Sequence, residues 1–410
     1  MRLKLASASA AALAIAYAFA APVSAATIIL NNLGGVEPGT QAYDGFTTAA
    51  KFWANAIANP ITIRLDVGFD HLGSNILGST SSRAFYVPTA LIEQQLVVTG
   101  TSSIDAIADA HLPTLSSNGG IGMITPGYNN PDGTGVDLSK RVFDNNDSFN
   151  NTALAENSAT LKALGFTGLG TGADGSVTFS SDFKFDFNPR NGVQAGAIDF
   201  LSVATHEIGH ALGFVSGADI YDLLGGSGPL ASGHPEVCGV DCHDYPAQDD
   251  SFSGSLDLFR YSANADGVGG TTGPTLDWAP VDDSYFSIDG GVTNLGGFST
   301  GAFNGDGWQA SHWKAPTSAP FCSGLLGIMN PYICGGTGGI VTNLDFEAFD
   351  AMGYNLSFDP GVDPRNVTTA DIQREFGPPG VPEPATWALM LMGFSLAGAA
   401  VRRRRRGLAA

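Results

Sequence analysis

Positive charge is scarce in this chain. Only 19 of 410 residues are Lys or Arg, against 39 Asp or Glu, and charged residues reach just 14%. Such an acidic surface repels nucleic acid and anionic lipid, so neither is an expected partner. Cysteine is equally sparse, limited to Cys238, Cys242, Cys322 and Cys334. No internal repeat is present, which argues against a repeat architecture. Long apolar runs occur only at the two ends. What remains is 43% hydrophobic with 54 glycines: a globular, loop-rich chain, long enough for one large or two smaller domains.

Both ends read as processing signals. "MRLKLASASAAALAIAYAFAAPVSAA" (1–26) opens with Arg2 and Lys4, continues apolar, and closes on Val23, Ser24, Ala25 and Ala26. That is the layout of a cleaved secretory leader; a membrane anchor fits less well, because no stop-transfer pattern follows. At the far end, "VPEPATWALMLMGFSLAGAAVRRRRRGLAA" (381–410) joins a Pro-Glu-Pro triplet to an apolar run over 385–401 and five arginines. That run is at the short limit for crossing a bilayer, and the arginine block would stay cytoplasmic. The order resembles the PEP-CTERM sorting signal of Gram-negative bacteria; an ordinary C-terminal anchor is the alternative. The resemblance implies export across the inner membrane, signal peptidase and exosortase as processing partners, and a final place in the envelope or outside the cell. Without the two basic residues of the leader, the five tail arginines and Glu383, 12 basic side chains face 38 acidic ones, a net charge near −26.

An even cysteine count in an exported chain points to disulfides. Four cysteines allow three pairings, of which the two sequence-local ones are simplest. Between the ends, "YDGFTTAAKFWANAIA" (43–58) has helical spacing, and Asn59-Pro60 stops it. "ITIRLDVGF" (61–69) alternates like a strand. Residues 86–112 suggest one or two short helices, 148–166 a further helix, and 176–187 a strand or hairpin. A helix is expected from about Ile198 to Leu212. A Gly- and Asp-rich stretch of little periodicity then runs to about 340, and an amphipathic helix over 343–354 closes the body. Residues 359–380, with Pro360, Pro364, Pro378 and Pro379, read as a linker.

The chemistry concentrates in "ATHEIGHALGFVS" (204–216). His206 and His210 lie four apart, so a helix presents both imidazoles on one face, the geometry for two nitrogen ligands on zinc. Glu207 beside them can take a proton from metal-bound water. Gly213 sits where a helix cap lets the chain swing away. A chance match on a buried helix is the bland alternative, but two histidines and a glutamate are costly to bury unpartnered. No cysteine precedes this stretch, so no upstream segment could cap a metal through a thiolate.

"HEIGHALGF" resembles the active-site helix of the metzincin metallopeptidases. Their pattern adds a third ligand three residues past the glycine, where this chain has Ser216, a poor ligand. Asp219, His234, His243, His312 and Glu347 are the candidates to replace it. His234 and His243 bracket Cys238 and Cys242 in "HPEVCGVDCH", which could form a small Cys2His2 zinc site; a disulfide loop fits the exported setting better. His71 and His111 read as ordinary surface or core residues.

"SHW" at His312, followed by "GIMNPY" at Met329, resembles the order of the leishmanolysin-like branch, where a long insertion precedes the third histidine and a methionine turn follows. That resemblance implies Zn2+ held by His206, His210 and His312, with Glu207 as general base and Met329 beneath the metal. Cys322 and Cys334 would clamp the turn, adding about 3 kcal/mol in the chain-entropy picture. Tyr332 could assist an oxyanion, though a buried tyrosine is the plainer reading.

The implied fold is α+β: a metzincin-like zinc peptidase domain, with a twisted mixed sheet, an active-site helix and an irregular C-terminal subdomain. The upper catalytic subdomain would span 27–214 and the lower one 215–358. The implied function is a secreted zinc endopeptidase acting on a peptide or protein substrate. The alternative is a non-catalytic envelope or matrix protein with a structural metal. Calcium is a weaker expectation, resting on "DNNDSFNN" and "FNGDGWQ", since such runs are usually turns.

Overall fold

The computed structural model describes residues 25–73, 75–263, 267–281, 283–317 and 322–379. The leader and the apolar run at 385–401 lie outside the described residues. Among those described, no helix is long and apolar enough to cross a membrane.

In chain order the first half holds β1 (Thr27–Gly34), α1 (Gln41–Ala56), β2 (Thr62–Asp70), β3 (Gly78–Ser82), β4 (Ala84–Pro88), α2 (Thr89–Thr99) and α3 (Ser103–Asp109). Then come β5 (Met123–Gly127), β6 (Asp137–Asp144), α4 (Phe149–Thr152), β7 (Ala153–Asn157), α5 (Ser158–Ala163) and β8 (Gly175–Ser180). The two-residue strands β9 (Phe185–Asp186) and β10 (Ile198–Asp199) lead into α6 (Phe200–Ala211). The second half holds α7 (Ala218–Leu224), α8 (Pro235–Cys238), β11 (Arg260–Ser262), β12 (Thr275–Leu276), β13 (Ser284–Phe286) and β14 (Gly296–Gly297). It ends with β15 (Ile340–Val341), α9 (Asn343–Ala351), β16 (Val367–Thr368) and α10 (Thr369–Phe376). The fold is thus mixed α+β, with several small sheets.

The largest early sheet has the order β1-β2-β8-β3. β1, β2 and β8 run parallel, while β3 pairs antiparallel with β8 at the edge. α1 begins at Thr40, whose hydroxyl accepts the Tyr43 N–H, and it buries Phe46, Ala49, Phe52 and Trp53 along one face. A ring cluster joins helix, sheet and α6: Phe46 lies 4.7 Å from Phe179, and Phe179 lies 4.6 Å from Phe200. Gly45 permits this approach, because a Cβ there would stand 2.4 Å from the Phe200 ring. The Trp53 indole N–H donates to the Thr205 carbonyl at 3.0 Å, fixing α6 against α1. One buried apolar cluster runs from Ala26 to Ile372, shared by both halves of the chain.

The second half is less irregular than its periodicity suggests. It contains an antiparallel sheet of order β12-β11-β13-β14 and the two-turn helix α7. The helix expected over 148–166 is broken. β7 interrupts it, pairing antiparallel with β4, and its Ala155 N–H donates to Ser253 at 2.9 Å. Buried Glu156 accepts the Ser255 N–H at 2.7 Å. Non-local pairing has overridden a local helical pattern. Of the strand or hairpin expected over 176–187, the strand is present as β8, and no hairpin forms because β9 pairs in parallel with β10.

The stretch expected as a linker also differs. β16 pairs antiparallel with β15, and Ile372 of α10 is fully buried. The Thr369 hydroxyl donates to Asp199 at 2.6 Å, and Arg190 donates to the Gln373 and Pro378 carbonyls. Four prolines suggested extension, but they flank this helix rather than enter it. Ile372→Ala should therefore cost about 2–5 kcal/mol, the usual range for a buried Ile truncation, while exposed Arg374→Ala should stay within about 0.5 kcal/mol. Urea unfolding midpoints check this, and equal, negligible losses for both would restore the linker reading.

Candidate metal centre

α6 starts where Asp199 accepts the Leu201 N–H at 3.1 Å and the Ser202 hydroxyl at 2.6 Å. It ends at Ala211, and just past the cap Gly213 has a φ of +109° that suits glycine, where a Cβ would also meet the Thr160 hydroxyl at 2.4 Å. The chain then turns so that the Phe214 carbonyl comes back toward His210.

His206 and His210 lie one turn apart, and a loop more than 100 residues later brings His312 beside them. The Nε2 atom of His210 stands 3.0 Å from that of His206 and 3.1 Å from that of His312. All three side chains are buried, with exposures of 7–9%. Each Nδ1 has its own backbone carbonyl: Ile328 at 2.8 Å for His206, Phe214 at 2.7 Å for His210, and Gln309 at 3.2 Å for His312. A carbonyl only accepts, so each Nδ1 carries the proton and each Nε2 keeps a lone pair. No proton is then left to sit between the Nε2 atoms, and three facing lone pairs repel one another. A cation at their centre removes the conflict: nitrogens about 2.1 Å from one tetrahedral zinc lie about 3.4 Å apart. The residues present fit zinc.

Burial also keeps the three rings uncharged. Burial drives His206 down to about 4; burial, then the neighbouring His206, drives His210 down to about 3. Burial and both neighbours hold His312 well below the usual histidine range. The three rings are neutral at pH 7, as metal ligands must be.

Glu207 faces the edge strand. Its Oε2 accepts the Thr80 hydroxyl of β3 at 2.7 Å, and the same hydroxyl lies 3.0 Å from the Glu207 carbonyl. Gly78 makes room for it, since a Cβ there would stand 2.6 Å from Oε1. Burial pushes this carboxyl up to about 7. Met329, fully buried, underlies the same helix: a Cβ on Gly209 would meet its sulfur at 2.5 Å, so that position of the HEIGH stretch has no space for a side chain.

The other candidates for a third ligand are occupied elsewhere. Asp219 accepts the Ala310 N–H at 2.6 Å and the Ser311 N–H at 3.1 Å, so it secures the loop that carries His312. Burial raises its carboxyl to about 6. The Ser216 hydroxyl donates to Asp257 at 2.6 Å. Glu347 accepts from Asn343 on its own helix, at 2.8 Å. His234 pairs with Glu236 and His243 with Asn129, both on the surface. Cys238 and Cys242 form a disulfide beside them, and Cys322 and Cys334 form a second one bracketing Met329. His71 pairs with Asp182 at the surface, and the His111 ring bonds the Ile107 carbonyl within its own helical turn. Tyr332 lies half-buried against Trp308, with ring centroids 5.3 Å apart. Among the described residues, His206, His210 and His312 are the one group of three metal-type side chains within mutual reach. In the two Asp-rich stretches, Asp144, Asp147 and Asp306 each accept hydrogen bonds from nearby protein donors.

Sequence reading missed Thr80, and it missed that Asp219 and Asp345 hold the loops around the histidines. One signal was legible: Thr342 and Asp345, three apart at the start of the expected closing helix, form a capping box.

Among known families, the PEP-CTERM protein-sorting motif matches residues 380–406. It marks the chain as exported and sorted to the envelope or exterior of a Gram-negative bacterium, with exosortase as the processing enzyme. No curated protein and no solved structure matches this chain.

If the three Nε2 atoms form the metal site, the purified protein should keep about one zinc per chain through dialysis. His312→Ala should keep almost none, and surface His243→Ala should match the parent. Emission spectrometry of the metal content checks this; equal zinc in all three would remove His312 from the site.

Proposed function

We propose that the chain is an exported zinc-dependent endopeptidase, built like the metzincins and similar in arrangement to their leishmanolysin-like branch. The observation that carries this reading is the convergence of three Nδ1-anchored histidines beside one buried glutamate that is not among them. A zinc ion held by His206, His210 and His312 would polarise a substrate carbonyl and make a bound water acidic. Glu207 then has the chemistry a general base needs. Its carboxyl, raised to about 7 by burial, can take a proton from water and return it to the leaving amine. Thr80 fixes one oxygen and leaves the other free to do so.

The surrounding fold supports a peptide as the substrate. β3 is the antiparallel edge of its sheet and lies directly against the Glu207 side chain. An edge strand offers unpaired backbone groups to which an extended peptide can add. The mixed sheet beside α6, the buried Met329 and the closing helix α9 are the features of the fold that support this reading.

The competing reading is a non-catalytic envelope protein with a structural metal. Structural zinc sites fill all four positions with protein ligands and have no use for a carboxylate held just outside. Here three nitrogens converge and Glu207 is tethered to Thr80 instead. Glu207→Gln should lower casein hydrolysis by about 10²–10⁴-fold, the usual weight of a general base, while zinc content is unchanged. Undiminished hydrolysis by that variant, or none by the parent protein with its zinc in place, would rule the peptidase mechanism out.

A further inference from the structure

Two segments distant from α6 must be held in place for the histidines to converge. One, 309–313, carries His312; the other, 326–330, carries the Ile328 carbonyl that orients His206. Both end on a single carboxylate. Asp345, fully buried in the first turn of α9, accepts the Trp313 indole N–H on Oδ1 at 2.8 Å and the Met329 N–H at 3.3 Å. On Oδ2 it accepts the Ile328 N–H at 2.8 Å and the Thr342 N–H at 2.7 Å. The Trp313 N–H in turn donates to the Met329 carbonyl at 2.9 Å, tying the two segments to each other. The Trp313 ring also packs 4.9 Å from Phe214, whose carbonyl orients His210. Gly327 lets the backbone close on the carboxylate, since a Cβ there would stand 2.2 Å from Oδ2.

We propose that Asp345 is the positioning residue of the histidine site: through Trp313 and Ile328 it orients His312 and His206 before any metal arrives. This deepens the metal-site reading and rests on it. Asp345 touches neither the histidines nor a substrate, so its effect falls on metal affinity and ligand geometry. A carboxylate is required because four N–H donors converge on it. An amide in its place would turn its own N–H2 toward at least one of them. Supporting residues of this kind typically change metal affinity 10–100-fold.

The test compares the full chain with Asp345→Asn, using zinc affinity by chelator competition and the visible spectrum of the cobalt(II)-loaded protein. Ile63→Ala, a core truncation in β2, supplies a destabilised control remote from the site. Asp345→Asn should bind zinc about 10–100-fold more weakly and shift the cobalt bands, with the control unchanged in both. A folded Asp345→Asn with parental affinity and spectrum overturns the proposal. Should that variant fail to fold, Trp313→Phe decides, because it keeps an aromatic ring while removing the N–H donor to Asp345. Weakened zinc binding is expected there, and unchanged binding overturns the proposal. A parent protein that takes up no zinc brings down the metal-site reading itself, and this proposal with it.

Discussion

Three imidazole nitrogens, each left with its lone pair because the opposite ring nitrogen donates to a carbonyl, converge in the buried interior, with the His210 Nε2 3.0 Å from that of His206 and 3.1 Å from that of His312. Such an arrangement is unfavourable by itself, since burial already opposes charging the rings and no proton lies between them. It persists only where the surroundings fix every ring from behind. The carbonyls of Ile328, Phe214 and Gln309 do so directly. Asp345, Asp219 and the Cys322–Cys334 disulfide hold the segments that supply those carbonyls or His312. Much of the second half of the chain can be understood as the means of bringing one histidine back to a helix more than 100 residues earlier.

The first half supplies the fixed frame. α6 is held along its length: Asp199 caps its start and reaches Thr369 of α10, Trp53 bonds the Thr205 carbonyl, and Gly209 rests on the Met329 sulfur. The edge strand β3 then sets Glu207 through Thr80. His206, His210 and Glu207 thus share one helix but are oriented by different partners. Substitutions can separate metal binding from proton transfer for that reason. The last helix of the described residues, α10, is tied into the same frame, so the sorting motif begins within a few residues of a packed element.

How much of this could be read from the sequence followed how local the signals were. The histidine pair, Glu207 and the Gly213 turn lie within eight residues, and the four-residue spacing alone puts His206 and His210 on one helical face. α1 and β2 were legible because Phe46, Phe52, Trp53 and the alternation at 61–69 are strong local periodicities. The helix expected over 148–166 was wrong because Ala153–Asn157 is claimed by β4 and by the 253–255 segment, partners no local pattern reveals. The linker expectation weighed four prolines and missed the Thr368 capping box and the buried Ile372. Asp345 was hidden for a different reason. A carboxylate at a helix start reads as a cap, and the indole and turn amides that also converge on it come from other parts of the chain.

The central claim is that His206, His210 and His312 bind one zinc through Nε2, and X-ray absorption at the zinc edge tests it most directly. The account predicts about three histidine nitrogens at 2.0–2.1 Å, with the outer-shell scattering of imidazole rings, and no sulfur. A sulfur shell near 2.3 Å would place zinc at the cysteines instead. A first shell of oxygen alone, or absence of zinc from protein purified without chelator, would contradict the claim outright.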